Sequence, residues 1–280
     1  MMFYYCANLL TAPKTLPTKI VPDHAYYYMF YQCKKLIKAP DILADEITGS
    51  YTCQYMFSDC DSLVNPPIFN PISIGSSCCE DMFAYCNKLI ASPKLDRLTT
   101  VSASACRYMF NGCDSLVTGP TILSIESAPA YCFESMFYGC SSLVNAAELP
   151  ATTLATNCYV NMYSHCTSLT TIPSILPATT LAESCYENMY KDCKALTTAP
   201  ELPALTLVTN CYKQMFSGCS NLNYIKALFT TNPGTTGNYT GNWVSNVSST
   251  GTFVKNANAT WTTTGSNGVP TGWTVETATP

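Results

Sequence analysis

The chain has 280 residues, 47% of them hydrophobic and only 11% charged, with a formal net charge of −4. That apolar content excludes a disordered chain, and the acidic balance excludes the basic stripe that a nucleic-acid partner requires. No run of about 18 apolar residues offers a membrane span, and the N-terminal MMFYYCANLLTAPK lacks the basic and apolar regions of a secretory signal.

Taken in chain order, one pattern dominates. A Met followed by Phe or Tyr stands at Met2, Met29, Met56, Met82, Met109, Met136, Met162, Met189 and Met215, in steps of 26 or 27 residues. Four residues after each Met comes a Cys, from Cys6 through Cys113 to Cys219, and three residues later a Leu, from Leu9 to Leu222. Seven copies add a Pro seven residues after the Cys. Such a period marks a solenoid, in which each unit buries its apolar face only against its neighbours.

Within one unit, Cys185, Met189 and Cys193 lie at i, i+4 and i+8, which is one face of a helix. CYENMYKDC therefore reads as a helix of about two turns, with Glu, Asn, Lys and Asp facing outward. The Pro- and Thr-rich stretch that follows lacks helical periodicity. It allows a short strand around the repeated Leu, a Pro-bounded turn, and a second apolar anchor at Leu154, Leu181 and Leu207. The expected fold class is an α/β solenoid, each coil a short parallel strand plus a short helix, over residues 1–228.

The C-x-x-L element, the Pro-bounded Leu and the C-Y-x-x-M-F element together resemble the BspA-like (Treponema-type) leucine-rich repeats, whose coil is right-handed. Those repeats are usually shorter and carry Ala-Phe where this chain has Met-Phe or Met-Tyr. The longer Met-Phe style looks like that of gut bacterial surface proteins and of phages of such bacteria. The resemblance covers residues 1–228. It implies recognition outside the cell, on a cell or virion surface, by adhesion to a host or bacterial glycan or protein. It brings no enzymatic motif and no cofactor.

Residues 229–280 are rich in Gly, Thr, Asn and Ser and hold Trp243, Trp261 and Trp273. NWVSNVSSTGTFVKN alternates apolar and polar residues around Ser-Thr-Gly, which predicts a hairpin in a β-rich C-terminal cap. A small sugar-binding module using the Trp faces is the alternative. At the other end, Met1–Met2–Phe3 starts inside a unit. This predicts an upstream segment or a partner chain over that end.

The 17 Cys sit mostly beside Met at repeat positions. They read as reduced, buried thiols stacked in ladders, with cross-coil disulfides as the alternative. No CxxC pair suggests zinc, and no metal or other cofactor is expected. Neither His165, at a variable repeat position, nor His24 joins a catalytic constellation, and no phosphate loop, G-x-S-x-G or HExxH occurs. What remains is surface. Tyr159, Tyr186 and Tyr212 share one repeat position and should form a row, while earlier units place Tyr just before the Met at Tyr28, Tyr55 and Tyr108; these rings either seal the seam between neighbouring helices or serve as an amphipathic strip for a ligand. The residues beside the repeated Leu vary, as Lys38, Asn65, Asn145, Thr171 and Thr198 show. Variation on a regular frame suits a recognition face. A structural spacer without a ligand is the competing reading.

Overall fold

Each unit closes one coil of a parallel solenoid, with neighbouring coils in register along the whole stack. The computed structural model describes residues 2–16, 21–120, 124–234 and 237–279; Met1 lies outside them. Its strands are short: β1 (Thr15–Leu16), β2 (Asp41–Ile42), β3 (Glu46–Ile47), β4 (Ser73–Ile74), β5 (Thr100–Val101), β6 (Ser127–Ala128), β7 (Thr153–Leu154), β8 (Tyr224–Ala227), β9 (Thr252–Lys255) and β10 (Thr274–Thr277). All pairings are parallel, in the sets β1-β2, β3-β4-β5, β6-β7 and β8-β9-β10. A second line of parallel bridges lies two residues after the repeated Leu, linking Thr11 to Lys38, Lys38 to Asn65, and Ala91 through Thr118 and Asn145 to Thr171. The strand expected beside that Leu is present as this bridge line.

The expected helices are absent: no helix occurs among the described residues. The Cys–Met–Cys segment is instead a ribbon with a period of four. Tyr51, Tyr55 and Asp59 have φ of 55°, 55° and 60°, and Asn157, Asn161 and His165 have 59°, 55° and 64°. One residue in four is thus left-handed, a region that L-residues enter at a cost and that Asn, Asp and Gly enter most readily. The hydrogen bonds explain the form. The N–H groups of Tyr51, Cys53, Tyr55, Phe57 and Asp59 donate forward to carbonyls of the next coil, at Ser76, Cys78, Glu80, Met82 and Ala84, over 2.8–3.1 Å. Those of Gln54, Met56, Ser58 and Cys60 donate back three residues within the coil. Alternate amides therefore build a sheet-like ladder while the others close tight turns, and every backbone donor from Cys53 to Cys60 is used. A helix would turn every amide along its own axis and give the neighbouring coil nothing to pair with.

A four-residue period also fixes what faces inward. Met56, Phe57 and Cys60 are fully buried, as are their counterparts in the coils that follow. The rings after each Met stack from Phe3 through Phe30, Phe57, Phe83, Phe110, Phe137, Tyr163 and Tyr190 to Phe216, with centroids 5.1–5.9 Å apart and planes within 13°. The Cys column donates across coils. The thiols of Cys33, Cys60, Cys86, Cys113, Cys140, Cys166, Cys193 and Cys219 each reach the carbonyl of the ring residue one coil earlier, at 3.0–3.2 Å. All 17 Cys are free and 16 are buried, so the ladder of reduced thiols is the arrangement found. The second Cys stands three residues before Met at Cys53, Cys79 and Cys106 but four before it at Cys132, Cys158, Cys185 and Cys211. These are two neighbouring inward slots, and at Cys78–Cys79 a single coil fills both.

At the C-terminal end the ribbon runs once more, with Asn238, Asn242 and Asn246 left-handed at φ of 51°, 54° and 60°. Tyr212, Gln214, Phe216 and Gly218 donate forward to Tyr239, Gly241, Trp243 and Ser245. The predicted hairpin is not formed: β9 lies between β8 and β10 and pairs parallel with both. The reason is the solenoid itself, whose last coil offers a parallel edge that β9 extends. All three Trp are buried, their indole N–H groups donating to the carbonyls of Gly268, Phe229 and Ser248 at 2.8–3.1 Å. They form the core of this end and leave no free ring face for a sugar.

Candidate functional site: a groove beside the bridge line

The bridge line carries the variable residues to the surface. Lys38, Asn65, Asn145, Thr171 and Thr198 are all exposed, and each is bridged to the equivalent residue of a neighbouring coil. The backbone is held by that bridge and by the buried Leu two residues earlier, such as Leu196 or Leu169. The side chains are therefore presented at coil spacing on a rigid frame.

Immediately after the bridge, the Pro-bounded turn drops away and leaves a groove. It opens at three places along the stack, at equivalent positions of the repeat. The first holds about 210 Å³ between Thr11, Pro13, Lys14 and Lys38. The second holds about 320 Å³ between Ala91, Lys94, Asp96 and Thr118. The third holds about 490 Å³ and is lined by Thr170, Thr171, Ser174, Thr198, Glu201, Tyr224 and Lys226, among others. This last volume falls in the range of small-molecule sites, about 300–1,000 Å³. Tyr224 and Lys226 alternate on β8 with the buried Ile225 and Ala227, so both point outward. The Lys226 ammonium donates to Glu201 at 2.9 Å, each side chain about one-third exposed. The cleft thus offers four hydroxyl-bearing aliphatic side chains, one phenol ring and one ion pair. Such a set gives hydrogen bonds of both senses and an apolar ring face, without a concentrated charge.

Of the residues singled out from the sequence, Thr171 and Thr198 line this cleft and Lys38 lines the first opening. Asn65 and Asn145 lie on the same exposed line, outside these three openings. The tyrosine row is a correction. Tyr159, Tyr186 and Tyr212 are 2%, 2% and 1% exposed, and they stack behind Phe133 with centroids 5.6–6.0 Å apart. Burial raises their hydroxyl pKa values well above the ordinary tyrosine value. They occupy the inward slot beside the Cys column, which in a four-residue period faces the core. Nothing is left of them for a ligand.

The aromatic surface that does exist lies elsewhere, and the sequence reading named only Tyr28 and Tyr55 of it. On the outer side of the first three ribbons, Tyr4, Tyr5, Tyr27, Tyr28, Tyr31 and Tyr55 form a continuous cluster, which Tyr51 joins through the ring of His24. Tyr28 and Tyr55 stack at 4.6 Å, and Tyr4 and Tyr31 at 5.6 Å. The signal was the local density of Tyr in FYY and YYYMFY, which a search for one shared repeat position passes over.

No protein-family model matches the chain, and no curated protein matches it. Two solved structures align with it along most of its length. One is a leucine-rich repeat protein from Bacteroides ovatus, 15% identical over 94% of this chain and 83% of that one, with a TM-score of 0.28. The other is a leucine rich cell surface protein from Faecalibacterium prausnitzii, 16% identical over 83% of this chain and 62% of that one, with a TM-score of 0.30. The coil architecture described above rests on its own ladders and not on these superpositions.

Proposed function

We propose that the chain is a non-catalytic recognition protein, displayed outside the cell or on a virion, that holds a polyhydroxylated ligand such as a surface glycan in the groove beside its bridge line. The observation that carries the reading is the cleft over coils seven to nine. There Thr171, Thr198 and Ser174 surround the Tyr224 ring and the Glu201–Lys226 pair in about 490 Å³. A hexose needs a ring face for its apolar side and paired donors and acceptors for its hydroxyls, and this cleft supplies both. The smaller openings at Lys38 and Lys94 continue the same groove and give an extended chain further points of contact.

A glycan-array screen of the full chain, followed by titration of the best hit, tests the reading. Binding should fall at least about tenfold, roughly 1.4 kcal/mol, in Tyr224→Ala and in Lys226→Met, with the unfolding midpoint unchanged. Equal affinity in both variants, or no glycan bound at any spot, would overturn it.

A further inference from the structure

The tyrosine cluster on the first three ribbons is independent of the groove and has its own chemistry. Tyr4, Tyr5 and Tyr51 are 40%, 55% and 41% exposed, which is far more than a sealed seam requires. The cluster is continuous over three coils, and carboxylates border it. Asp59 lies against Tyr31, and Asp81 against Tyr55. Among the described residues, neither Asp59 nor Asp81 forms an ion pair with a Lys or Arg.

Two coils further along the same side, the protein shows what such surroundings accept. Arg107 lies between Glu80 and Glu134, with Nε donating to Glu134 at 2.7 Å and a terminal nitrogen 3.5 Å from Glu80. Its guanidinium carbon is 4.8 Å from the Tyr108 ring centre and 6.0 Å from that of Tyr131. Tyr108 occupies the left-handed ribbon slot that Tyr28, Tyr55 and Asp81 occupy in coils two to four. An arginine on tyrosine faces between two carboxylates is therefore already built into this face. In coils two and three the slot of Arg107 holds Tyr27 and Gln54, and the carboxylates beside the rings, Asp59 of coil three and Asp81 of coil four, come from other slots of the ribbon.

We infer that the Tyr4–Tyr55 face docks an extended, arginine-bearing segment of another protein, its guanidinium groups stacked on the tyrosines and paired with Asp59 and Asp81. A planar guanidinium suits this face better than an ammonium, because it stacks on a ring and still directs N–H groups sideways to carboxylates. Tyrosine is also a low-entropy contact residue: its ring is large and has few rotamers to lose. This surface is on a different side chain set from the glycan cleft, so either can fail without the other.

The test uses the full chain and three labelled peptides of one length, with Arg, Lys or citrulline at alternate positions, followed by fluorescence anisotropy at low and physiological salt. The Arg peptide should bind, the Lys peptide roughly tenfold more weakly, and the citrulline peptide not measurably. The double variant Asp59→Asn, Asp81→Asn keeps residues that tolerate the left-handed slots, so its fold should be retained. It should bind the Arg peptide at least about tenfold more weakly, while Tyr224→Ala should leave that binding unchanged. Failure of the Arg peptide to bind, equal binding of the citrulline peptide, or unaltered affinity in the double variant would each overturn the inference.

Discussion

Replacing Asn161 separates the four-residue ribbon from a helix by the sign of a free-energy change. Asn161 sits in the middle of its ribbon at φ 55°, partly buried, between Ser135 and Asn188 in the same slot of the neighbouring coils, both also left-handed. In a helix, Asn161→Ala would stabilise by up to about 0.7 kcal/mol and Asn161→Gly would be worse than Ala by about 1 kcal/mol. In the ribbon the order reverses. A left-handed residue with a Cβ costs about 1–2 kcal/mol, Asn recovers part of that through its short polar side chain, and Gly has no Cβ to strain. Asn161→Gly should therefore be neutral to slightly stabilising. Asn161→Ala should cost about 1 kcal/mol, and Asn161→Val about 2 kcal/mol or more, because a β-branched side chain fits the region worst. Urea unfolding with an unchanged m-value measures each step. Alanine more stable than glycine at this position would refute the ribbon.

Other expectations follow from single groups. The Tyr163 hydroxyl accepts the Ala147 N–H at 3.1 Å, whereas the Tyr190 hydroxyl, next in the same stack, is buried without a partner; Tyr190→Phe should stabilise by about 1 kcal/mol and Tyr163→Phe should destabilise by a similar amount, read from unfolding midpoints. Burial, helped by the neighbouring Glu80, raises the Asp81 carboxyl from its ordinary 3.8 to about 7. Its proton is thus held more tightly in the folded chain, and the stability this confers is full below pH 3.8 and lost as pH rises towards 7. A shift of that size corresponds to a ceiling of about 4 kcal/mol, and solvent screening at a partly exposed site reduces it to about 1–2 kcal/mol. Asp81→Asn should remove that part of the slope and stabilise the protein at neutral pH, as urea titrations between pH 4 and 8 would show. Burial also raises the thiols of the repeated Cys column, to about 11 at Cys33 and about 12 at Cys113. Only the exposed Cys6 among the 17 should therefore react with a thiol reagent on a timescale of minutes in the native state, with the remainder reacting on unfolding. Several fast thiols by mass spectrometry would contradict the packed ladder.

The 26- or 27-residue period, the parallel stacking, the inward Cys–Met–Cys stripe and the exposed line through Lys38, Thr171 and Thr198 were legible in the sequence, because each follows from spacing alone. The conformation between the two Cys was not. An i, i+4, i+8 stripe belongs equally to a helix with 3.6 residues per turn and to a ribbon of period four over so short a segment. The residues that separate them are the outward ones. Asn157, Asn161 and His165, Ser184, Asn188 and Asp192, and Asn238, Asn242 and Asn246 recur every fourth place, and most are types suited to positive φ. The last set also shows that the ribbon continues beyond Leu222 even though its Cys, Met and Leu do not. Tyr159, Tyr186 and Tyr212 were misread because a phenol suits core and surface alike. Phe133 in the same slot, with no polar tip, was the clue to its inward direction. Of the Tyr4–Tyr55 cluster only Tyr28 and Tyr55 stood out in the sequence, because the rest is a property of three adjacent coils and not of the repeat.

Amide chemical-shift mapping of the chain titrated with the best-binding oligosaccharide tests the recognition account most directly. The account predicts saturable shifts concentrated at residues 170–174, 198–201 and 224–226, with the Tyr4–Tyr55 face unmoved. Shifts confined to any other face, or none at concentrations where binding is measured by other means, would contradict it.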